Sequence, residues 1–183
     1  MALGDDFSEV LASAQGGDEG AWRLLYDELS GPLLGYLRAN GAREAEEVLG
    51  DVFLQLASHL PTFEGNEGAL RGWAFLVARN RLIDERRRHT RRPTEPLTGG
   101  ETDRRGGDTE LDALASLGLG RVGELLADLT PEQREVLTLR VVADLPLEEV
   151  ARIVGRRVGA VKQLQHRALA ALRRRIEREG VSP

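Results

Sequence analysis

The side chains best suited to chemistry lie near the C-terminus, where cationic and amide groups recur at helical spacing. At about 100° per residue, these groups fall on one side of a predicted helix and Val161 and Leu164 on the other. Lysine and arginine neutralise phosphates, and amide groups can bond to base edges in the major groove. The pattern therefore favours DNA binding over a merely solvated basic face. The polar side comprises Lys162, Gln163, His166, Arg167, Arg173 and Arg174.

A helix-turn-helix is the element that would position this polar face. Pro146 can begin the first helix, because the first turn does not need its missing N–H. Val150, Ala151 and Val154 then recur at helical spacing, and Gly155 can adopt the positive φ of a tight turn. The small Ala151 also lets two helices cross closely. The second helix of the motif would carry the cationic face.

Basic residues are concentrated in two segments, although the net charge of the chain is −5. Residues 152–178 carry nine basic side chains against Glu177 alone, and residues 71–92 carry eight arginines against two acids. Acidic residues are gathered elsewhere, notably in residues 5–19 and 44–51. Two basic segments in an acidic chain predict two separate contacts with a polyanion such as DNA.

Enzymatic chemistry has little support in the sequence. The histidines His59, His89 and His166 are isolated and lack the spacing of metal ligands or of a general base. The adjacent pairs Glu46-Glu47 and Glu148-Glu149 point to different faces of a helix and make poor acid/base pairs. No glycine-rich phosphate loop follows a predicted strand. We therefore expect no catalytic residue, metal, cofactor or small-molecule substrate.

Composition indicates a cytoplasmic protein. Cysteine is absent, which excludes disulfides and fits a reducing compartment. No apolar run approaches the roughly 18 residues of a membrane span, and the N-terminus lacks the basic start of a signal peptide. We therefore expect no membrane insertion.

The hydrophobic period is helical throughout, which predicts an all-α fold. Residues 93–115 are rich in proline, glycine and charge, the composition of a flexible linker. We therefore predict two helical domains, residues 1–92 and residues 116–183, the second containing the helix-turn-helix. Asp18 should cap the start of the second helix. Thr130 and Gln133 should form a capping box at the start of the helix before that motif.

Two helices of the first domain carry surfaces of interest. The helix predicted over residues 42–60 turns Val48, Val52 and Leu56 inward and leaves an acidic stripe outside, which is usually a solvated face. The helix predicted over residues 70–88 is apolar on several sides, so it is either buried on more than one face or keeps apolar surface for a partner. The acidic stripe comprises Glu44, Glu47 and Asp51.

These motifs together resemble a known family. Residues 45–54 followed by residues 73–84 resemble conserved region 2 of bacterial sigma factors. Residues 129–136 and the helix-turn-helix resemble region 4. Two such domains joined only by a linker resemble the extracytoplasmic-function (ECF) group of the sigma-70 family, and the resemblance covers nearly the whole chain. It implies a transcription initiation factor that binds core RNA polymerase and directs it to promoter DNA.

The resemblance gives the acidic helix a partner. In this family the region 2 helix docks on a coiled coil of the largest catalytic subunit of the polymerase, and the linker runs toward the active-site cleft between the two large subunits. Gly50 and Ala57 stand where the family usually has Gln and Trp, so they depart from the usual contact. The implied polymerase-binding residues are Glu47, Asp51, Phe53 and Gln55.

The resemblance also assigns the two basic segments to the two promoter elements. The helix that begins near Trp73 would melt the −10 element, and Asn80 and Asp84 with the loop Phe63–Glu67 would receive a flipped base. Because flipping loses stacking energy, a pocket with a cationic rim is required. The full implied −10 set is Phe63, Trp73, Arg79, Asn80, Asp84, Arg86, Arg87 and Arg88.

The helix-turn-helix would read the −35 element in the major groove. Four side chains of the second helix would face base edges, and three arginines would contact the backbone. Where the family usually has Arg followed by an apolar residue, this chain has Leu164-Gln165, so Gln165 is expected to replace one contact. The implied base-reading residues are Lys162, Gln163, His166 and Arg167, and the backbone arginines are Arg156, Arg157 and Arg173.

Two other functions remain compatible with the residues. A stand-alone helix-turn-helix regulator would bind duplex DNA as a dimer, but it leaves the motif from Trp73 to Arg88 unexplained. A helical adaptor would bind polymerase or another partner without opening a promoter. Members of the ECF group are commonly held inactive by an anti-sigma factor, and we expect such a partner here.

Overall fold

The computed structural model describes residues 4–91, 123 and 125–178. Within these ranges the chain forms helices and turns, and the prediction of an all-α fold is confirmed. The predicted linker, residues 93–115, lies outside the described residues. The helices are α1 (Phe7–Gln15), α2 (Glu19–Ala39), α3 (Ala45–His59), α4 (Glu67–Arg91), α5 (Pro131–Val141), α6 (Leu147–Val154) and α7 (Val158–Arg178). Short 3-10 turns, Gly4–Asp6 and Leu60–Thr62, precede α1 and follow α3.

The capping signals read from the sequence mark real helix ends. The Asp18 carboxylate accepts a hydrogen bond from the Ala21 amide at 2.7 Å, at the start of α2. Thr130 and Gln133 form the predicted capping box before α5. Gly155 ends α6 in the left-handed conformation, with φ 67° and ψ 36°. Each device satisfies backbone groups that a helix end leaves free.

Three helix starts differ from the sequence expectation. The third helix begins at Ala45 instead of Ala42, because the backbone before it turns to meet a side chain of α4. The fourth begins at Glu67 instead of Leu70, since the Asn66 side chain caps it through the Ala69 amide at 2.9 Å. Pro146 is the N-cap of α6 and not its first helical residue, because its ψ of 158° is extended.

The first domain is a bundle of α1 to α4. Leu33 and Leu37 of α2, Val52 of α3, and Ala74 and Phe75 of α4 are fully buried. Helix α4 packs against α2, α3 and α6. The apolar residues on several sides of α4 are therefore explained by burial on more than one face. No helix among the described residues has the length and apolar character needed to cross a membrane.

The second domain is built around the helix-turn-helix. Val150, Ala151 and Ile153 of α6 and Val161 of α7 are buried with Leu139 of α5. Ala151 has 4% of its surface exposed, in agreement with its predicted place near the crossing of two helices. A smaller apolar cluster closes the other end of α7 and comprises Leu126, Leu129, Leu137 and Ala168.

The two domains share one hydrophobic core. Buried residues of α1 to α4 and of α5 to α7 belong to the same apolar cluster. Helix α4 contacts α6, and α2 contacts α5. The sequence predicted two domains but contained no signal for this contact, because helical periodicity shows that a face is buried without showing what covers it.

Candidate nucleic-acid interface

The polar face of α7 is open to solvent. Lys162, Gln163, His166 and Arg167 are exposed, whereas Val161 is fully buried. Leu164 is half-buried against the core, as its periodicity predicted, and Gln165 beside it is also half-buried. Arg173 and Arg174 continue the exposed cationic surface toward the C-terminus. This face can therefore meet a polyanion without any change in the packing of α7.

The turn of the helix-turn-helix places two cations at the start of α7. Arg156 and Arg157 are exposed, and the Arg156 amide bonds to the carbonyl of Ala151 at 2.9 Å across the turn. The Arg156 guanidinium lies 3.8 Å from the Glu132 carboxylate, a weak and half-exposed ion pair. The free N–H groups of a helix N-terminus also attract anions. This end of α7 is suited to a backbone phosphate.

Helix α4 brings the predicted −10 side chains onto one face. Trp73, Asn80 and Asp84 are seven and four residues apart, so they lie on the same side of the helix. Asn80 and Asp84 are exposed, and Asp84 forms a surface ion pair with Arg87 at 3.8 Å. Arg88, one position further along α4, is also exposed.

The loop before α4 packs directly against that face. The ring of Phe63 stacks on Trp73, with centroids 5.4 Å apart and planes 13° from parallel. A Cβ atom at Gly65 would lie 2.9 Å from both Phe63 Cζ and Ala69 Cβ, so the close approach requires glycine. The loop and α4 therefore form one continuous surface, with stacked rings at one end and Asn80 toward the other.

Two of the predicted −10 arginines form hydrogen bonds with other helices of the protein. Arg79 Nε donates a hydrogen bond to Glu135 Oε1 at 2.9 Å, and this links α4 to α5. The Arg86 guanidinium donates to the backbone carbonyl of Asn40, the C-cap of α2. Neither partner was identified from the sequence, because both lie far away along the chain.

The acidic face of α3 combines charge with exposed apolar surface. Glu47 is exposed and Asp51 half-exposed, whereas Gln55 accepts a hydrogen bond from Arg81 at 2.9 Å. Phe53 is only 8% exposed, so it supports this face from below, with its ring 4.4 Å from that of Tyr26. Leu54, in the segment that resembles region 2, is 72% exposed, so this face combines an apolar side chain with the acidic ones.

The two departures from the family pattern lie on exposed positions of α3. Gly50 and Ala57 are both exposed. A Cβ atom at Gly50 would meet no other atom within 4 Å. The structure therefore has room for larger residues at Gly50, and its packing gives no reason for the glycine.

A polar seam joins α5 to the first domain. The Tyr36 hydroxyl donates to Glu135 Oε1 at 3.3 Å, beside the Arg79 contact. The Asn40 side-chain amide donates to the Thr138 hydroxyl at 2.9 Å, and both residues are buried. Burial, followed by the nearby Glu135 carboxylate, raises the pKa of the Tyr36 phenol. These residues, Tyr36, Asn40, Arg79, Glu135 and Thr138, are called the seam below.

Helices α4 and α6 approach closely beside the seam. The side chain of Glu149, on the first helix of the helix-turn-helix, lies over Gly72. A Cβ atom at Gly72 would be 2.0 Å from Glu149 Oε1 and 2.7 Å from its Cδ. Glu149 also pairs with Arg152. In this arrangement, called closed below, α4 and the helix-turn-helix are in direct contact.

Glu85 connects α4 to α3, the predicted polymerase-binding helix. Its carboxylate is buried and accepts the backbone N–H groups of Arg43 at 2.8 Å and Glu44 at 3.3 Å. These amides lie at the start of α3, where a negative charge is favourable. The sequence signal for this role is weak: a single acid beside a run of arginines.

The described residues contain no group of three or more His, Asp or Glu side chains that could hold a metal ion. The side-chain chemistry of the exposed faces is that of phosphate, base and peptide recognition.

Two family matches follow one another along the chain. The Sigma-70 region 2 family matches residues 25–92, and the Sigma-70, region 4 family matches residues 125–174. The chain is also 31% identical over 188 residues to the ECF RNA polymerase sigma factor SigD of Mycobacterium tuberculosis strain H37Rv, covering 97% of this chain and 87% of SigD. The chain belongs to the ECF group of the sigma-70 family. This sigma factor is a transcription initiation factor that directs RNA polymerase to promoters.

Other relatives agree with that assignment. The sigma factor BldN of Streptomyces coelicolor is 31% identical over 173 residues, covering 91% of this chain and 64% of BldN. CnrH, solved in complex with the cytosolic domain of CnrY, has a TM-score of 0.66 at 24% identity, covering 94% of this chain and 98% of CnrH. RpoE of Bartonella quintana, solved in complex with the anti-sigma factor NepR, has a TM-score of 0.63 at 18% identity, covering 85% of this sigma factor and 96% of RpoE. Both structures share its fold.

Helix α1 lies outside the matched ranges, because the region 2 match begins at Leu25.

Sigma factors are a family of non-catalytic transcription factors.

Proposed function

We propose that this sigma factor reads the −35 element with α7, melts the −10 element with α4 and the loop before it, and binds core polymerase through α2 and α3. It would act in the cytoplasm and would not itself be an enzyme. The observation that carries the proposal is that α7 has one exposed polar face and one buried apolar face. The four side chains proposed to face base edges are exposed, while Val161 beneath them is fully buried.

The −35 role rests on the shape and charge of α7. Its 21 residues give a rod of about 31 Å, long enough to enter the major groove. Lys162 and Arg167 would contact guanine edges or phosphates, and Gln163 and His166 would bond to base edges. Arg156, Arg157 and Arg173 would hold the flanking backbone.

The −10 role rests on the surface formed by α4 and its loop. Stacked aromatic rings offer a flat apolar end, and the exposed Asn80 and Asp84 offer hydrogen-bonding groups for a base edge. A base taken out of the duplex loses its stacking neighbours and needs both kinds of contact. Arg88 is exposed and Arg87 has a surface ion pair with Asp84, so both would be accessible to the strand. Arg79 and Arg86 would join them once released from the seam and from α2.

The polymerase-binding role rests on the face around Leu54. Exposed leucine and tyrosine side chains next to Glu47 and Asp51 form an apolar patch with an acidic border. Such a patch suits a helical partner with basic flanks. Tyr26, at 41% exposed, extends the patch onto α2, since its ring lies 4.4 Å from that of Phe53 on α3.

Reading both elements requires the closed arrangement to open. Positions −10 and −35 lie roughly 25 base pairs apart, or about 85 Å along a straight duplex. Helix α6 contacts both α4 and α7, and packed helix axes lie about 8–10 Å apart, so α4 and α7 are within about 20 Å of each other. One molecule can therefore contact both elements only after the domains separate.

An anti-sigma factor is the expected regulatory partner. RpoE of Bartonella quintana was solved with such a factor bound. The exposed apolar patch on α2 and α3 is the surface whose coverage would block polymerase binding most directly.

The test is gel filtration of the purified protein with bacterial core polymerase and a pool of fluorescent promoter-sized duplexes. Co-elution at stoichiometric ratio, with DNA retained only when both proteins are present, is the expected result. Retention of duplex by the protein alone, without polymerase binding, would support a dimeric regulator instead. Polymerase binding without promoter opening would support an adaptor.

A further inference from the structure

Gln15 ties the N-terminal helix to the loop before α4. Its side-chain Nε2 donates hydrogen bonds to the carbonyl of Leu60 at 3.0 Å and to the carbonyl of Phe63 at 2.8 Å. One side-chain amide nitrogen carries two hydrogens, so both are used. The two carbonyls lie at the start and just after the end of the 3-10 turn that follows α3. A single side chain therefore fixes both ends of that turn.

The turn sets the direction in which the loop leaves α3. Phe63 is the first residue after the turn, and its ring stacks on Trp73 of α4. The rest of the loop is constrained by the close approach at Gly65 and by the cap that Asn66 places on α4. Gln15 therefore anchors the start of the loop, and α4 anchors its end.

We infer that Gln15 is a positioning residue for base capture at the −10 element. This inference rests on the proposed role of the loop Phe63–Glu67. Gln15 bonds to the backbone carbonyl of Phe63 and to that of Leu60. It would therefore act by holding the Phe63 ring against Trp73. The surface formed by these rings and Asn80 is then in place before DNA arrives, and less ordering is needed when the base binds.

Gln15→Glu is the sharpest variant, because it keeps the size of the side chain and replaces the donor by an acceptor. A carboxylate facing two carbonyl oxygens cannot form either hydrogen bond. Ala12→Glu is the matched control, since it adds the same charge to an exposed position on the same helix. Gln15→Ala removes both bonds without adding charge and guards against a purely electrostatic effect.

The first measurement needs no DNA. A Trp22→Phe background leaves Trp73 as the single tryptophan, since the chain has two. In this background Gln15→Glu should shift the Trp73 emission to the red and increase its quenching by acrylamide, whereas Ala12→Glu should change neither. Unchanged emission and quenching in Gln15→Glu would overturn the inference, whatever the protein does on promoters.

The second measurement uses the reconstituted holoenzyme on a promoter selected from random duplexes. We expect Gln15→Glu to bind core polymerase as the wild type does, with permanganate reactivity at the −10 element reduced roughly tenfold, the effect of losing one or two net hydrogen bonds. Ala12→Glu should keep full reactivity.

A set of templates, each lacking one base of the −10 element, separates the inference about Gln15 from the proposed −10 function. The deficit of Gln15→Glu should vanish on the template that lacks the captured base, because no base remains to be held. An equal deficit on every abasic template would show that Gln15 does not act through base capture. If the wild type itself shows no permanganate reactivity at −10, the proposed function fails, and the Trp73 measurement still decides whether Gln15 positions the loop.

Discussion

Arg79 and Lys162 carry the same charge but have different surroundings. Arg79 is held by Glu135 at 2.9 Å with 24% of its side chain exposed, whereas Lys162 extends into solvent from α7. The proposed −35 face is therefore available in the closed protein, and part of the −10 cationic rim is not. Substitutions in the two faces should affect different steps of promoter binding.

Lys162→Ala combined with Arg167→Ala should weaken −35 recognition and spare polymerase binding. Both side chains are exposed and support no buried residue, so the fold should be unchanged. Removing contacts to bases or phosphates should lower holoenzyme affinity for a −35-containing duplex at least tenfold and flatten its salt dependence. Fluorescence anisotropy at several salt concentrations measures both. Arg23→Ala, on the exposed side of α2, is the control, and loss of core binding in the double variant would contradict the division of roles.

Asn80→Ala should leave the closed complex intact and reduce melting. The side chain is exposed on α4 and its loss opens no cavity. A flipped base would lose a hydrogen-bonding partner, so roughly a fivefold decrease in open complex is expected from a net hydrogen bond of about 1 kcal/mol. Permanganate footprinting at the −10 element measures it, with gel shift at low temperature reporting the closed complex. Unchanged footprints would exclude Asn80 from the pocket.

At the scale of secondary-structure elements, α3 and α4 are joined by a buried acid. The Glu85 carboxylate of α4 accepts hydrogen bonds from the backbone N–H groups of Arg43 and Glu44, just before α3. These bonds satisfy donors that a helix start leaves without a partner. A side chain of the helix proposed to melt DNA therefore caps the start of the helix proposed to bind polymerase. Their relative position is fixed by this contact as well as by apolar packing.

Glu85→Ala should destabilise the first domain by about 2 kcal/mol, because two amides near α3 would lose their buried acceptor. For a chain of this size the expected decrease in melting temperature is roughly 4–8 °C. Differential scanning calorimetry measures it. Asp84→Ala is the neighbouring control, because Asp84 is exposed and its removal should change the free energy of unfolding little. Glu85→Gln keeps a carbonyl acceptor and should recover part of the loss; equal effects of the alanine variants would argue against the cap.

At the scale of the whole molecule, the contact between the domains is part polar and part apolar. The seam contributes a charged pair and a buried amide–hydroxyl bond, while the Gly72–Glu149 approach brings α4 and α6 together. Polar contacts of this kind are satisfied equally well by water after separation, so their net contribution is modest. The seam is therefore suited to hold a state that must later open.

Glu135→Ala combined with Thr138→Ala should shift the free protein toward open forms. The double variant leaves Arg79 without its carboxylate and Asn40 without its hydroxyl partner. Small-angle scattering should show a radius of gyration above that of the wild type, which for a compact chain of 183 residues is about 16 Å. Glu132→Ala makes the same charge change on the exposed side of α5 and should leave the radius unchanged. A wild-type radius in the double variant would mean that the apolar contacts alone keep the domains closed.

Local signals in the sequence predicted local structure well. The cap at Asp18, the box at Thr130 and the turn at Gly155 depend on neighbours within a few residues, and all three are confirmed. Gln15, Glu85 and the seam depend on residues 40 or more positions away, and no periodicity shows such partners. Phe53 illustrates a related limit, because a motif position does not show how deeply its side chain is buried.

Arg79 can face Glu135 or a phosphate, but it cannot bind both at full strength. Closure of the domains and occupation of the proposed −10 site would therefore be competing equilibria, and each would weaken the other by the same factor. With an open fraction of about 1%, the free protein would bind a promoter about 100-fold more weakly than its open form. Any partner that binds the open form alone removes that penalty. The affinity of the unassembled factor for the chromosome would then be set by the domain contact as much as by the DNA sequence.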